Sequence, residues 1–349
     1  LLKVQIANHT LKIEPSLVRV LTPDVGGGFG MKTFYYPEQA LCLWASRKFS
    51  RPVKWVGERG ESFLSDTMGR DHVTEVELAL DTEHRIIAMR VDTVANMGAY
   101  LSNFAPFIPT LAAIKVMPGV YDIKSLHVRV RGVFTHTVPI DAYRGAGRPE
   151  SIYMIERLMD KAAQELKIDR VELRRKNFIS LDKMPFTTTA GEIYDTGDFE
   201  RVINTVIEKA DWKSFEDRRG EAKALGRRRG IGLCYYIEST MGDPGEAAEV
   251  RFEEDGTVSL LVGTQSNGQG HETAYAQVAS DRLGISIDRI RIVQGDTDLI
   301  ATGGGTGGSR SLTAQATAID AAADLVIERG KHYAAQSLEA SVADIEFDE

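Results

Sequence analysis

A chain of 349 residues with 43% apolar and 26% charged residues holds enough material for two ordinary domains, each with its own core. Its formal net charge of −8 argues against nucleic acid as a principal partner. Two cysteines, Cys42 and Cys234, lie far apart in apolar contexts, and the seven histidines show no HxxxH spacing; this excludes a disulfide framework and a sequence-evident metal site, and suits the reducing cytoplasm.

The first residues, LLKVQIANHT, have no signal-peptide layout and no initiating Met, while the last, ADIEFDE, stop at what reads as the start of a strand. A fragment truncated at both ends is expected. Leu17 to Leu21 reads as a strand, followed by TPDVGGGFGMKT and a helix from Pro37 to Lys48. RPVKWVGE, HVTEVELALD and RIIAMRVDTVAN then alternate apolar and polar residues like strands of a half-buried sheet, with Asp81 to His84 as a hairpin turn. The span from Val94 to Ile114 carries no charge over 21 residues. Asn96, Gly98, Asn103, Pro106 and Pro109 interrupt it, and in lipid their backbone and amide groups would go unsatisfied. No membrane span is expected there, and the segment reads as buried and irregular. SLHVRVRGVF is a further strand.

That strand leads into DAYRGAGRPE, Asp141 to Glu150, where Gly145, Ala146 and Gly147 lie between Arg144 and Arg148. Pro149 suits a first helical position, and Ile152, Ile155, Met159, Ala162 and Leu166 follow at helical spacing. A strand-to-helix turn with glycines beside an arginine suits a bound anion or polarised oxygen; the alternative is a turn that merely caps a helix. The cluster RVELRRKN, Arg170 to Asn177, reads as a solvated face or cap. MPFTTTAGEIYDTGD is loop-like, and Phe199 to Lys209 is helical. From 211 to 230 the composition turns to charge without apolar period, which sets the expected domains at 1–210 and 231–349 with 211–230 as linker. Beyond it IGLCYYIES is strand-like, and AEVRFEEDGTVSLLVGT is a hairpin turning at Asp255-Gly256. GTQSNGQGHETAYAQVASDRLG is a loop and then a helix, DRIRIVQGDTD a strand, and ATGGGTGGSRS leads into a helix from Ser311 to Gln336.

Four strand, glycine-loop and helix-start units therefore recur, and helix N-termini bind phosphates and carbonyls readily. GGGTGG satisfies G-x-G-x-x-G but lies well past its strand and lacks the acidic residue that should end a second one; GFGMKT lacks the glycine that precedes a Walker lysine. An extended ligand touched at many points fits better. PDVGGGFGMK, AYRGAGRPE, GTQSNGQGHETAYAQ and GDTD…GTGGSRS, in this order, resemble the large molybdenum-binding subunit of the xanthine dehydrogenase and aldehyde oxidase family, and in particular its carbon monoxide dehydrogenase type.

The resemblance covers essentially the whole chain. It implies an α+β fold of two mixed α/β molybdopterin-binding domains and a molybdenum–molybdopterin cofactor, in its cytosine dinucleotide form, without protein ligands to the metal. It implies FAD and [2Fe-2S] on a medium and a small partner subunit, a dimer of heterotrimers, and hydroxylation of an aldehyde or N-heterocycle with water-derived oxygen. Gly27, Gly28, Phe29 and Gly30 match the loop beside the metal; Asn267, Gly268, Gln269, Gly270 and His271 match the loop gripping pterin and pyrophosphate; Thr306, Ser309, Arg310 and Ser311 match a further cofactor loop. Arg144 matches the arginine that faces the substrate. Core packing is the alternative for Phe29, and simple capping for His271. Asn267 departs from the glutamine of the carbon monoxide enzymes, and Gly145 stands where their AYRCSFR string has a copper-binding cysteine, the variant called form II. The family's catalytic glutamate belongs to a GxGE-like string beyond this chain, so these residues alone are expected to be inactive. Glu58 and Glu61 mimic that string and read as surface groups. A non-catalytic dinucleotide-binding or assembly protein, and a carbon monoxide dehydrogenase-like activity, are the competing functions.

Overall fold

A computed structural model describes residues 2–241 and 245–348. In chain order its elements are α1 (Leu2–Gln5), α2 (Pro37–Phe49), α3 (Arg59–Ser65), β1 (His72–Leu80), β2 (Ile86–Gly98), α4 (Ala113–Val116), β3 (Leu126–Phe134), α5 (Arg148–Leu166), α6 (Arg170–Asn177), β4 (Phe186–Thr187), β5 (Ile193–Tyr194), α7 (Phe199–Lys209), α8 (Phe215–Ala224), β6 (Ala248–Phe252), β7 (Val258–Val262), α9 (His271–Leu283), β8 (Ile290–Val293) and α10 (Ser311–Leu338), with short 3-10 and π turns between them. The fold class is the expected one, α+β with mixed sheets. Contacts divide the chain into one unit of Leu1–Ser62 with Thr240–Glu349 and another of Phe63–Ser239. Residues 211–230 lie within the latter unit and carry α8.

The unit 63–239 is built on the sheet β1-β2-β3. Alternation in β1 puts every second residue against the core, and the hairpin pairs it antiparallel to β2, His72 opposite Ala95. β3 then runs parallel to β2, with Met89 opposite Leu126. Helix α5 covers this sheet with Ile152, Met154, Ile155, Met159 and Ala163. Ile155 and Met159 are wholly buried, which contributes about 1.5–3 kcal/mol each; Leu166, expected on the same face, is 38% exposed because the helix ends beside it. The charge-free span 94–114 is only partly interior: Ala105, Ile108 and Ala112 are buried while Tyr100, Leu101, Phe104, Phe107 and Leu111 are exposed. Among the described residues no helix is long and apolar enough to cross a membrane.

The unit of 1–62 and 240–349 repeats the plan: β6 and β7 form a hairpin, β8 runs parallel to β7, and α9 and α10 pack on the sheet through Tyr275, Ala276, Ala279 and Ile319. The buried central strand β7 has all five residues inside.

Three strand expectations are corrected. Residues 51–58 form no strand and are solvent-exposed throughout. IGLCYYIES forms no strand, because side chains take its backbone groups: Tyr235 N–H donates to Glu156 and the Leu233 carbonyl accepts from Arg174. Leu17 to Leu21 makes only an isolated bridge, Leu21 to Asp296. The basic cluster 170–177 is likewise no solvated face. The Arg174 side chain is 0% exposed and pairs with Glu156 and Asp160 at 2.9 Å, and Tyr121 donates to the same Glu156. Burial disfavours the charged form, yet the Tyr121 and Glu156 oxygens hold the Arg174 guanidinium above its ordinary value. MPFTTTAGEIYDTGD contains the small β4–β5 hairpin.

Candidate functional site

Three of the four glycine loops share one unit and meet there. The segment before the first loop is latched by the GDTD string: Thr22 N–H donates to the Gly295 carbonyl at 2.7 Å, Thr297 N–H to the Val20 carbonyl at 3.1 Å, and Arg19 pairs with Asp296. Gly295 is obligatory, since at φ +73 its β-carbon would lie 2.4 Å from the Thr22 carbonyl oxygen. This aims Gly27–Gly30 at the second loop. Gly27 N–H donates to the Asn267 carbonyl at 3.1 Å, and a β-carbon at Gly28 would come within 3.0 Å of the Asn267 amide. Asn267, with its shorter reach, therefore closes on Gly28. Phe29 is 55% exposed at φ +52, so it is not a core residue.

The second loop opens α9. Gly270 caps that helix at φ +85, and Gln269 folds back to accept from Asn267 N–H. His271 follows, only 4% exposed. Its Nδ1 lies 3.2 Å from the Thr264 carbonyl, which makes Nδ1 the protonated nitrogen, while Nε2 is buried without a partner. Burial, partly offset by the Thr264 carbonyl, Glu272 and the Gln294 side chain, lowers its pKa, so the ring is neutral at pH 7 and Nε2 can only accept. An orphaned buried acceptor costs roughly 1–3 kcal/mol and points to a donor on a bound group.

The third loop is tied to the second by Thr306, whose hydroxyl donates to the Gln265 carbonyl at 2.6 Å; Ser311 in turn donates to Thr306. Ser309 takes the left-handed conformation at φ +59. Arg310 is 5% exposed, its guanidinium donating to Glu246 and to the Gly305 carbonyl. The Glu246 side chain is 0% exposed and also accepts from Gly304 N–H at 3.0 Å. Sequence reading missed Glu246, because nothing in GEAAEV marks it as a partner of a loop far downstream. It also missed Gln315, which receives Gly263 N–H at 3.1 Å and returns a bond to the Ala247 carbonyl. Open backbone at Gly26, Gly270 and Gly307, where an added β-carbon would meet nothing within 4 Å, lets a large group approach the main chain. Free helix N–H groups at α9 and α10, this open backbone and the unpartnered His271 nitrogen fit an extended anionic ligand with hydrogen-bond donors, as a pterin dinucleotide is.

The fourth turn belongs to the other unit. Gly145, Ala146 and Gly147 all have positive φ, at +93, +37 and +90. A β-carbon at Gly147 would lie 2.3 Å from the Ile108 carbonyl oxygen, and one at Gly145 2.4 Å from Pro149 Cγ. Glu150 returns to accept Gly147 N–H at 2.9 Å. Arg70, which the sequence did not single out, donates to the Tyr143 and Arg144 carbonyls at 2.8 and 2.7 Å. Arg148 is turned inward, 5% exposed, against Glu238, whereas Arg144 is exposed. Cys42 is half-buried and Cys234 exposed. Among the described residues no group of three or more His, Cys, Asp or Glu side chains could hold a metal ion.

Residues 2–178 and 205–349 each match a molybdopterin cofactor-binding domain. The chain belongs to that family. It is 34% identical over 352 residues to the carbon monoxide dehydrogenase large chain of Hydrogenophaga pseudoflava, covering 96% of this chain and 44% of that protein. With the nicotine 6-hydroxylase large subunit of Paenarthrobacter nicotinovorans it shares 33% identity, over 96% of this chain and 42% of the relative. The crystal structure of quinoline 2-oxidoreductase from Pseudomonas putida 86 superposes with a TM-score of 0.92 at 32% identity, covering 100% of this chain and 46% of that one. The chain thus spans less than half the length of these relatives.

Proposed function

We propose that this chain is the cofactor-binding portion of the catalytic large subunit of a molybdenum hydroxylase, acting on an aldehyde or an N-heterocycle. The cofactor is the cytosine dinucleotide form of molybdenum–molybdopterin. Electrons leave through an iron–sulfur small subunit and an FAD-binding medium subunit, in a cytoplasmic dimer of heterotrimers. When bound, the cofactor supplies Lewis acidity, the water-derived oxygen and a two-electron acceptor. Gly27 to Gly30 would flank the metal, and Asn267 to His271 would receive pterin and pyrophosphate on main-chain N–H groups, with His271 Nε2 free to accept a ligand hydrogen. Thr306, Ser309 and Ser311 hold the far side of the same ligand on a loop that Arg310 braces. Arg144 orients a substrate oxygen and stabilises the negative charge that develops on it.

The observation that carries the reading is the convergence of three glycine loops around an orphaned, buried His271 acceptor. Gly145 favours an organic substrate over copper-assisted carbon monoxide oxidation, since copper(I) wants a soft thiolate and this turn provides none. The test is to purify the full-length subunit with its partners, measure molybdenum and released nucleotide, and screen aldehydes and N-heterocycles. Neither metal nor pterin, in a host able to make the cofactor, would overturn the proposal.

A further inference from the structure

Beside the arginine turn stands Tyr236. A β-carbon at Gly145 would lie 3.4 Å from its hydroxyl oxygen, so the phenol borders the turn at Gly145. The residue is 46% exposed and open to a ligand. Its hydroxyl donates to Glu238 Oε2 at 3.2 Å, and the other oxygen of that carboxylate accepts from Arg148 Nε. The Arg148 side chain is 5% exposed, which anchors the Glu238 carboxylate and through it the phenol. The neighbouring backbone is fixed as well, with Tyr235 N–H on Glu156 and the Tyr235 hydroxyl on the Phe199 carbonyl. Burial and the Glu238 charge push the Tyr236 phenol up to about 12, so it keeps its hydrogen at neutral pH. A tyrosine hydroxyl has one hydrogen and two acceptor lone pairs. With the hydrogen committed to Glu238, what remains is an acceptor, polarised by the carboxylate it donates to.

We propose that Tyr236 is a specificity-determining residue whose hydroxyl oxygen accepts a hydrogen bond from an N–H or O–H of the substrate at the Arg144 turn. Arginine donates only, and the tyrosine oxygen accepts, so the pair reads a carbonyl next to an N–H, as in a cyclic amide or a hydroxylated N-heterocycle. Plain aldehydes satisfy the donor alone. The inference rests on the hydroxylase reading above and names the substrate class for that site.

The experiment compares wild-type and Tyr236→Phe forms of the complete enzyme on quinazolin-4-one, which carries the amide N–H, on quinazoline, which lacks it, and on benzaldehyde. Binding of quinazolin-4-one is measured in parallel by titration calorimetry, independently of turnover. A single lost neutral hydrogen bond should raise the Kd and KM for quinazolin-4-one about five- to tenfold in Tyr236→Phe. The kcat, the molybdenum content and the KM for quinazoline and benzaldehyde should stay within about twofold. Equal losses on all three substrates, or no change in the Kd for quinazolin-4-one, would overturn the assignment while the hydroxylase reading stands. A wild-type enzyme that binds the probe but oxidises none of the three would overturn the hydroxylase reading instead, and with it this inference.

Discussion

Replacing Arg70 by Ala tests whether the arginine turn is held from outside itself. The Arg70 guanidinium makes two charge-assisted hydrogen bonds to the carbonyls of Tyr143 and Arg144 and lies 3.5 Å from Glu150, the residue that caps the turn at Gly147. Bonds of this kind are worth about 1.5–3 kcal/mol when shielded. The Arg70 side chain is 36% exposed, so water recovers part of each, and about 1 kcal/mol per bond is the appropriate figure. The turn itself is costly, with three consecutive residues at positive φ, one of them Ala146. Losing about 2 kcal/mol of support at the Arg144 carbonyl should therefore lower kcat/KM of the full-length enzyme by roughly thirtyfold, at about 1.4 kcal/mol per tenfold. Arg70→Lys keeps the charge near Glu150 but reaches only one carbonyl, and should recover part of the loss. The assay is steady-state kinetics at matched molybdenum content. An Arg70→Ala enzyme within about twofold of wild type would refute the idea that the clamp positions Arg144.

Other expectations follow from the same geometry. Gly145→Cys should neither bind copper nor gain carbon monoxide oxidation, because a β-carbon there meets Pro149 Cγ at 2.4 Å with φ at +93; stoichiometric copper by elemental analysis would contradict this. Glu246→Gln leaves the Arg310 side chain, 6% exposed, without its carboxylate, and should cost about 3–5 kcal/mol in urea unfolding together with loss of cofactor. Burial lowers the pKa of both His72 and His271 below the usual 6.5, so the unfolded chain binds more protons and stability should fall as pH drops through 6.5 towards the folded values; a melting temperature flat between pH 7 and pH 5 would refute this, and His271→Asn should reduce the slope.

Local pattern made much of the fold legible. Alternation in HVTEVELALD, helical spacing behind Pro149 and the Asp255-Gly256 turn each specify an element by short-range physics, and β1, α5 and the β6–β7 hairpin occur where expected. What stayed hidden is tertiary partnership. Arg174 looks like any basic residue in RVELRRKN until α5 brings Glu156 and Asp160 to it. Residues 51–58 and 231–239 carry a strand-like alternation, but alternation says which side faces inward and not whether a neighbouring strand exists to take the ladder. The candidate site divides in the same way. Its glycines announce themselves, because positive φ leaves few other choices, whereas Glu246, Gln315 and Arg70 act across long sequence separations and carry no local mark.

The two units solve one problem twice. Each places a hairpin and a third, parallel strand before a glycine-rich turn, and each turn opens a long helix, α5 or α10. A buried arginine stands at each helix start, Arg148 in one unit and Arg310 in the other, where its charge repels the positive end of the helix dipole. A carboxylate meets it in both cases: Glu238 accepts from Arg148 and Glu246 from Arg310, two glutamates that lie close together in the sequence. With the arginine neutralised from behind, the helix N–H groups keep their partial charge for whatever docks on the turn. Arg148 and Arg310 therefore belong to the frame, whereas Arg144, the other arginine of AYRGAGR, is exposed. The turn itself has little freedom to change, since at φ +93 a β-carbon on Gly145 would run into Pro149, the second residue of α5.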